Sequence, residues 1–409
     1  MAGLACATWL HRAGRPVLVL EAANAVGGRV RTDVTPDGFR LDRGFQILLT
    51  DYPEARRMFD YGALNLKAYR SGALIRLPDG QETTLENPLH APLMAFAALA
   101  SPIGTVKDKL LLVKLVAQLA GRLPEQLLAH PSVSTLDYLR CFGWSEQIIN
   151  TFFKPFFGGV YLDRELSTAS NFFEFVFQQF VQGAAAVPAL GMQQLPEQLA
   201  ARLPAGTIRL HTPITAIAEG GRLVHLANGE TLAAAAVVLA TDGPAAAQLL
   251  GSELLTSVMP DARSTTCTYF ATAGPAPSHG RCLLHLNSQP GALVHNVAFP
   301  TEVSAAVAPA GQGLVSVSTH GEHGLSEEEL TAHVRTELVA WFGPVANMWR
   351  HLRTYRIERA LPVYASGRPI QQELQLGDTL FRCGDWVSYP SLNAALGTGR
   401  QVAEMLLAK

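Results

Sequence analysis

Gly3-Leu4-Ala5-Cys6-Ala7-Thr8-Trp9-Leu10-His11-Arg12-Ala13-Gly14-Arg15-Pro16-Val17-Leu18-Val19-Leu20-Glu21-Ala22 decides the fold of this chain. Leu4 to Leu10 reads as a helix, Ala13 to Pro16 as a tight turn, and Val17 to Leu20 as a short strand ending at Glu21. That order is the second half of a dinucleotide-binding βαβ unit. There, a glycine-rich turn lets backbone approach a pyrophosphate, and an acid after the second strand takes the ribose hydroxyls. Gly3 to Glu21 is a step of 18 residues (21 − 3), close to the roughly 20 between glycine loop and acid. Gly3 thus stands where the third glycine of G-x-G-x-x-G falls. The sequence holds neither the first two glycines nor the first strand. Without that central strand several backbone groups lose partners, at about 1–3 kcal/mol each. Net stability is only about 5–15 kcal/mol, so the natural protein is expected to begin upstream of Met1.

Working outward, Gly27-Gly28-Arg29 follows Glu21, and then come Gly38, Asp42 and Gly44. Further blocks are Val237-Val238-Leu239-Ala240-Thr241 and Cys383-Gly384-Asp385-Trp386, the latter leading into Ser391 to Arg400. In these residues and their order the chain resembles the flavin-containing amine oxidase superfamily, which includes phytoene desaturases and protoporphyrinogen oxidases. The resemblance implies an α/β fold. A Rossmann-like FAD-binding domain lacking its first strand is interleaved with an α+β substrate domain. The implied cofactor is FAD, bound non-covalently, because the Cys-Tyr pair that attaches flavin in some members is absent around Tyr389-Pro390-Ser391.

Composition agrees. Hydrophobic residues make up 48% of 409 and charged residues 16%, enough for a large core and an apolar cleft. A net charge of −2 without a basic block argues against a nucleic-acid partner. Cys6, Cys141, Cys267, Cys282 and Cys383 form no C-x-x-C and read as free thiols of a reducing compartment. No signal peptide is evident. Leu89 to Ile103 is interrupted by Pro92 and Pro102 and is shorter than the ~20 residues of a membrane span. The expected setting is cytoplasmic, with peripheral membrane contact through a surface patch compatible with the sequence.

The expected FAD-binding segments are 1–85, 191–251 and 355–409, and the substrate segments 86–190 and 252–354. Leu74 to Thr83 reads as a hairpin with an Asp-Gly turn. Val106 to Leu119 and Met192 to Leu203 read as helices, and Ser326 to Glu329 as a capping box opening a helix to Phe342. Thr379 to Arg382 reads as a strand before Gly384-Asp385. Ten aromatics lie between Phe152 and Phe180, with helical spacing in the second half. Most read as packing and some as the lining of a greasy substrate pocket.

Each site residue follows from position or from the resemblance. Glu21, with Ala22, would take the adenosine ribose. Gly27 and Gly28 permit close backbone approach to the pyrophosphate, and Arg29 supplies charge there. The resemblance places Asp385, after Gly384, at the ribityl and pyrophosphate region and the backbone of Ile214 at the adenine. Leu392, Asn393 and Ala394 open a helix whose N–H groups suit the electron-rich edge of a reduced flavin. Phe45, Gln46 and Tyr389 are candidate pocket residues, and no catalytic side chain is assigned. His320-Gly-Glu-His323 lacks helical support and a third ligand, so no metal is expected. The family's amine oxidases often use a lysine from the second substrate segment, and 252–354 has none. The expected reaction is therefore oxidation or desaturation of a small hydrophobic, carotenoid- or porphyrinogen-like substrate at flavin N5, with the electron acceptor unassigned. Amine oxidation and a catalytically defective flavin-fold protein remain as alternatives.

Overall fold

Seven strands form the largest sheet of the computed structural model, which describes residues 1–86, 103–250, 261–277 and 280–409. Their order is Arg350–Pro362, Ala262–Thr272, Gly313–His320, Val294–Ala298, Leu284–Asn287, Gly72–Arg76 and Glu82–Glu86. All neighbours are antiparallel except Leu284–Asn287 with Gly72–Arg76. One face packs on the helix Glu327–Phe342, with Phe270, Val294, Val297, Val315 and Val317 against Leu330, Val334 and Leu338. That helix starts at Ser326 with the expected capping box to Glu329. The other face turns Thr265, Ser318, Asn296, Leu284 and Leu286 toward a cavity.

The nucleotide-binding half contains two parallel pairs. Val19–Leu20 pairs with Ile208–Arg209, and Val237–Leu239 with Leu380–Arg382. The helices Ala2–Arg12 and Leu392–Leu407 pack tightly at Gly399, while Gly3 lets the first helix approach the end of the Val237–Leu239 strand. A Cβ on Gly399 would collide with Ala2 O, and one on Gly3 would lie 2.9 Å from Ala240 Cβ. An antiparallel meander, Ile214–Ala218, Leu223–Leu226 and Thr231–Ala233, adjoins them.

The helical region is built on aromatics. Phe153, Phe157, Tyr161, Phe172, Phe173, Phe175 and Phe177 are buried, with centroids such as Phe157–Phe173 at 4.8 Å. Pro155 lacks the N–H that the Thr151 carbonyl would receive in an α-helix, and the backbone widens into a π turn over Ile149–Phe153.

Several expectations are corrected. The Met192–Leu203 helix is Gln194–Ala200, and the Val17–Leu20 strand is Val19–Leu20. The Asp-Gly hairpin joins the seven-stranded sheet, and Arg350–Pro362 runs through 354 as its edge strand. A hairpin signal specifies local pairing, not the sheet it joins, and the arginine-rich edge strand has no clean apolar alternation. The boundary at 251/252 and residues 89–102 of the apolar stretch lie outside the described residues. Among the described residues no helix is long and apolar enough to cross a membrane.

Candidate cofactor and substrate site

Strand pairing brings the first cradle residues together. Glu21 follows its strand directly, its N–H donating to Arg209 O at 3.0 Å while its Oε1 accepts from Ala23 N at 2.9 Å. His211 N and Thr212 N donate to Ala23 O and Glu21 O. The chain therefore enters the strand starting at Ile214 beside Glu21 and Ala22, and all three line the cavity.

The glycine turn needs its glycines. Gly27 has φ 118° and Gly28 φ 62°, a region costly for residues with a Cβ. A Cβ on Gly27 would also collide with Val30 O and lie 2.8 Å from Pro196 Cγ. Arg29, at the end of this turn, donates from Nη2 to Asp385 Oδ1 at 2.5 Å and from Nη1 to Ala360 O at 2.8 Å. Gln46 Nε2 donates to Arg29 O at 2.9 Å and fixes the same turn. Gly384, at φ 146°, presents Asp385, and its N–H donates to Thr398 Oγ1 on the last helix at 3.0 Å. That helix is capped by Ser391, whose Oγ accepts from Ala394 N at 3.0 Å. Ser391 and Leu392 open its positive end onto the cavity.

Gly3, Glu21, Ala22, Gly27, Gly28, Arg29, Ile214, Gly384, Asp385 and Leu392 thus share one cavity wall, with Phe45 and Gln46 beside them. Asn393, Ala394 and Tyr389 do not line it. Asn393 instead ties elements together, Oδ1 accepting from Glu54 N and Nδ2 donating to Tyr389 OH, both at 2.9 Å. Tyr389 is a correction. It packs against Phe172 and Phe175 because the aromatic helix meets this loop inside the core.

The cavity measures about 2650 Å³, beyond the roughly 300–1,000 Å³ of a usual ligand pocket. Part of it is the slot between the two parallel pairs, since both Val17–Leu20 and Val237–Ala240 line it. Phe152, Phe156 and Phe180 face the remainder with Leu112, Val113 and Val116. Three carboxylates on the wall are engaged, while Glu358 on the edge strand also lines it. Asp33 accepts from both Arg43 and Tyr355, Asp108 from Thr105 and Ser145, and Glu86 pairs with Arg70. Among the described lining residues the one lysine is Lys109, and the one cysteine is Cys6. Burial pushes the Cys6 thiol up to about 12, which suppresses the thiolate needed for covalent chemistry.

The sequence profile of the flavin containing amine oxidoreductases matches residues 1–407. The chain belongs to the flavin-containing amine oxidoreductase family. A putrescine oxidase of Kocuria rosea is 31% identical over 239 residues, 54% of this chain. The chain spans about half the length of that relative, 48%. Among solved structures, putrescine oxidase bound to putrescine has a TM-score of 0.71 at 17% identity, covering 100% of this chain and 97% of that one. A putative protoporphyrinogen oxidase from Exiguobacterium sp. 255-15 has a TM-score of 0.73 at 18% identity, with coverage of 100% and 97%. At these identities the structures establish the fold.

The family's flavin fits the residues present. Glu21, at a strand end, would hold a ribose, the bare backbone of the Gly27-Gly28 turn would admit a pyrophosphate, Arg29 would bring the cation, and a helix N-terminus faces the same space. These local motifs were legible in sequence. Asn296, Arg353 and Tyr355, also on the wall, were missed. They lie in strands whose pattern gives no sign of which face meets a cavity.

Proposed function

We propose that this chain, loaded with FAD, oxidises or desaturates an apolar, polyene- or porphyrinogen-like substrate. The wall of the substrate end carries the reading. It is aromatic and aliphatic, its sheet face presents no lysine, and its buried carboxylates are occupied by arginine or hydroxyl partners. When bound, FAD supplies a two-electron acceptor. The protein's part is to hold the cofactor through Glu21, the glycine turn and Arg29, and to keep water from the substrate with Phe152, Phe156 and Phe180. An amine substrate is the second reading, favoured by the name of the Kocuria relative. A diammonium ion would need free carboxylates, and Asp33, Asp108 and Glu86 on the described wall are already engaged. Anaerobic mixing of the purified protein with polyenes, porphyrinogens and putrescine tests it. Bleaching of the flavin by one of the first two is expected. Bleaching by putrescine alone reverses the choice, and colourless protein that FAD does not stabilise supports a defective flavin-fold protein.

The same reading gives the partner surface. Helix Val106–Leu119 exposes Val106, Leu110 and Val113 at 67%, 67% and 66% and carries Lys107, Lys109 and Lys114. Its residues Leu112, Val113 and Val116 also line the cavity. An apolar stripe flanked by cations suits an anionic lipid surface, from which a lipid-soluble substrate enters directly. Co-sedimentation with phosphatidylglycerol vesicles, lost in Leu110→Asp, is the expected result. Equal sedimentation of the variant, or none with the natural protein, contradicts it.

A further inference from the structure

The sheet face above the cavity is not uniformly apolar. At one end His320, Ser318 and Asn296 line it together. Register sets Asn296 opposite Ser318 and His320 opposite Thr265. Thr265 is in turn opposite Ile357, whose Cδ1 would lie 2.7 Å from a Cβ on Gly44. The row thus runs two strand spacings, about 10 Å, from the loop after the glycine turn to His320.

A β-bulge shapes this end. The register shifts between Val294 and Asn296. Val294 packs into the far-side core and Asn296 faces the cavity. Between them His295 stacks on His320, with ring centroids 3.8 Å apart. Bulges of this kind re-aim side chains beside functional sites. His295 is fixed by donating from Nε2 to Pro155 O at 2.8 Å. Gly159 on the same helix makes room, since a Cβ there would lie 3.0 Å from that nitrogen. Burial, together with nearby Arg164, pushes His295 down to about 3. His320 also lies well below its usual range, through burial, His295, Arg164 and His323. Both rings are neutral at physiological pH.

Three polar atoms here are buried without a partner: both ring nitrogens of His320 and Oδ1 of Asn296. Buried polar atoms are normally satisfied, so something from the cavity should meet them. A neutral imidazole offers one donor and one acceptor, and Asn296 Oδ1 offers an acceptor. The cations facing this end are Arg164 and Arg356, and burial with these arginines also lowers the His323 pKa. Arg164 donates to Ala292 O, and Arg356 donates to Leu325 O. The nearby Glu337 carboxylate is taken by the N–H groups of Leu293 and Val294. An ammonium is therefore unwelcome. No cluster of three metal ligands occurs among the described residues.

We propose that His320, Asn296 and Ser318 form a head-group site at the end of the apolar cavity, holding a hydroxyl or other neutral oxygen group of the substrate. This rests on the apolar reading above and adds a polar terminus to that substrate. The test is titration of flavin-loaded protein with 1-octanol, octylamine and octane, read by perturbation of the flavin spectrum. Octanol should bind about 10-fold more tightly than octylamine or octane, the order of one or two net hydrogen bonds. His320→Phe and Asn296→Leu, in different strands so that a folding failure of one leaves the other, should each bring octanol to within about 3-fold of octane. Their octane affinity should not fall, because each replacement is apolar. Octanol and octane binding equally to the natural protein, or a preference that survives both variants, overturns the head-group site while the apolar reading stands. Tighter binding of octylamine also overturns it. Failure of all three, with flavin bleached by putrescine, overturns the apolar reading itself.

Discussion

Arg29 and Asp385 are 356 residues apart in sequence and share one charge-assisted hydrogen bond. Glu21→Ala and Arg29→Ala should each weaken FAD binding by about 1.5–3 kcal/mol, roughly one to two decades in dissociation constant. The arginine variant also strips buried Asp385 of its partner. Calorimetric titration of apoprotein with FAD checks both, and an unchanged constant in either removes that residue from the cradle. Asp42 gives a pH-dependent case. Burial pushes its carboxyl up to about 6, against hydrogen bonds from the Thr32 hydroxyl and the Met192 N–H. A folded-state value above the unfolded value of about 3.9 means that folding favours the protonated form. Its contribution is full below about pH 4 and lost as pH rises through about 6. Asp42→Asn keeps the acceptor without the charge, so it should melt higher than the natural protein at pH 8 and about equally at pH 4. An equal deficit at both pH values would contradict this. At this scale the sequence is informative where chemistry is local. Glu21 and Gly27-Gly28-Arg29 are readable because spacing along one strand and turn defines them. Asn296 and His295 are not, because the bulge that turns both toward one side has no spacing signal.

The helix Val106–Leu119 shows what one buried acid does for an element. Asp108 Oδ2 accepts from Thr105 N at 2.7 Å and Ser145 Oγ at 2.6 Å, and Oδ1 accepts from Ser145 N at 2.8 Å. One carboxylate thus closes a capping box and pins the distant helical segment that Ser145 caps. Burial pushes its pKa up, but the hydrogen bonds from Ser145 and Thr105 outweigh that and hold it below the ordinary range. The stabilisation is therefore present above the unfolded pKa and lost as pH falls. Asp108→Ala should cost about 1–3 kcal/mol at neutral pH, and much less near pH 3. Urea denaturation at the two pH values reads this, and a pH-independent loss would point to packing instead. The helix itself was legible from its apolar spacing, and the Ser326 helix from its capping box. The edge strand Arg350–Pro362 was not. Its arginines belong to ion pairs such as Arg350–Asp37, and such long-range partners are invisible to a local pattern.

Across the whole molecule the proposed cofactor cradle is assembled from distant stretches that line one cavity: Glu21 to Arg29, the approach to Ile214, and Gly384 to Leu392. None holds the geometry alone. The glycine turn is oriented through Arg29 by Asp385 and Ala360 O, and Gly384 is fastened to the last helix through Thr398. A ligand that contacts all three binds the folded chain and not the unfolded one, so its free energy adds to stability by mass action. At 100 times its dissociation constant, FAD should stabilise the fold by about 2.7 kcal/mol, a large share of the 5–15 kcal/mol typical of a domain. Stripping the flavin should lower the melting temperature, and re-adding FAD should restore it in a concentration-dependent way. The response should be blunted in Arg29→Ala at the same FAD concentration, because the variant is farther from saturation, and should return at one to two decades more FAD. A melting temperature indifferent to FAD would mean that the cradle residues do not close on the cofactor together. An equal response of Arg29→Ala at every concentration would mean that the Arg29–Asp385 pair serves the fold alone.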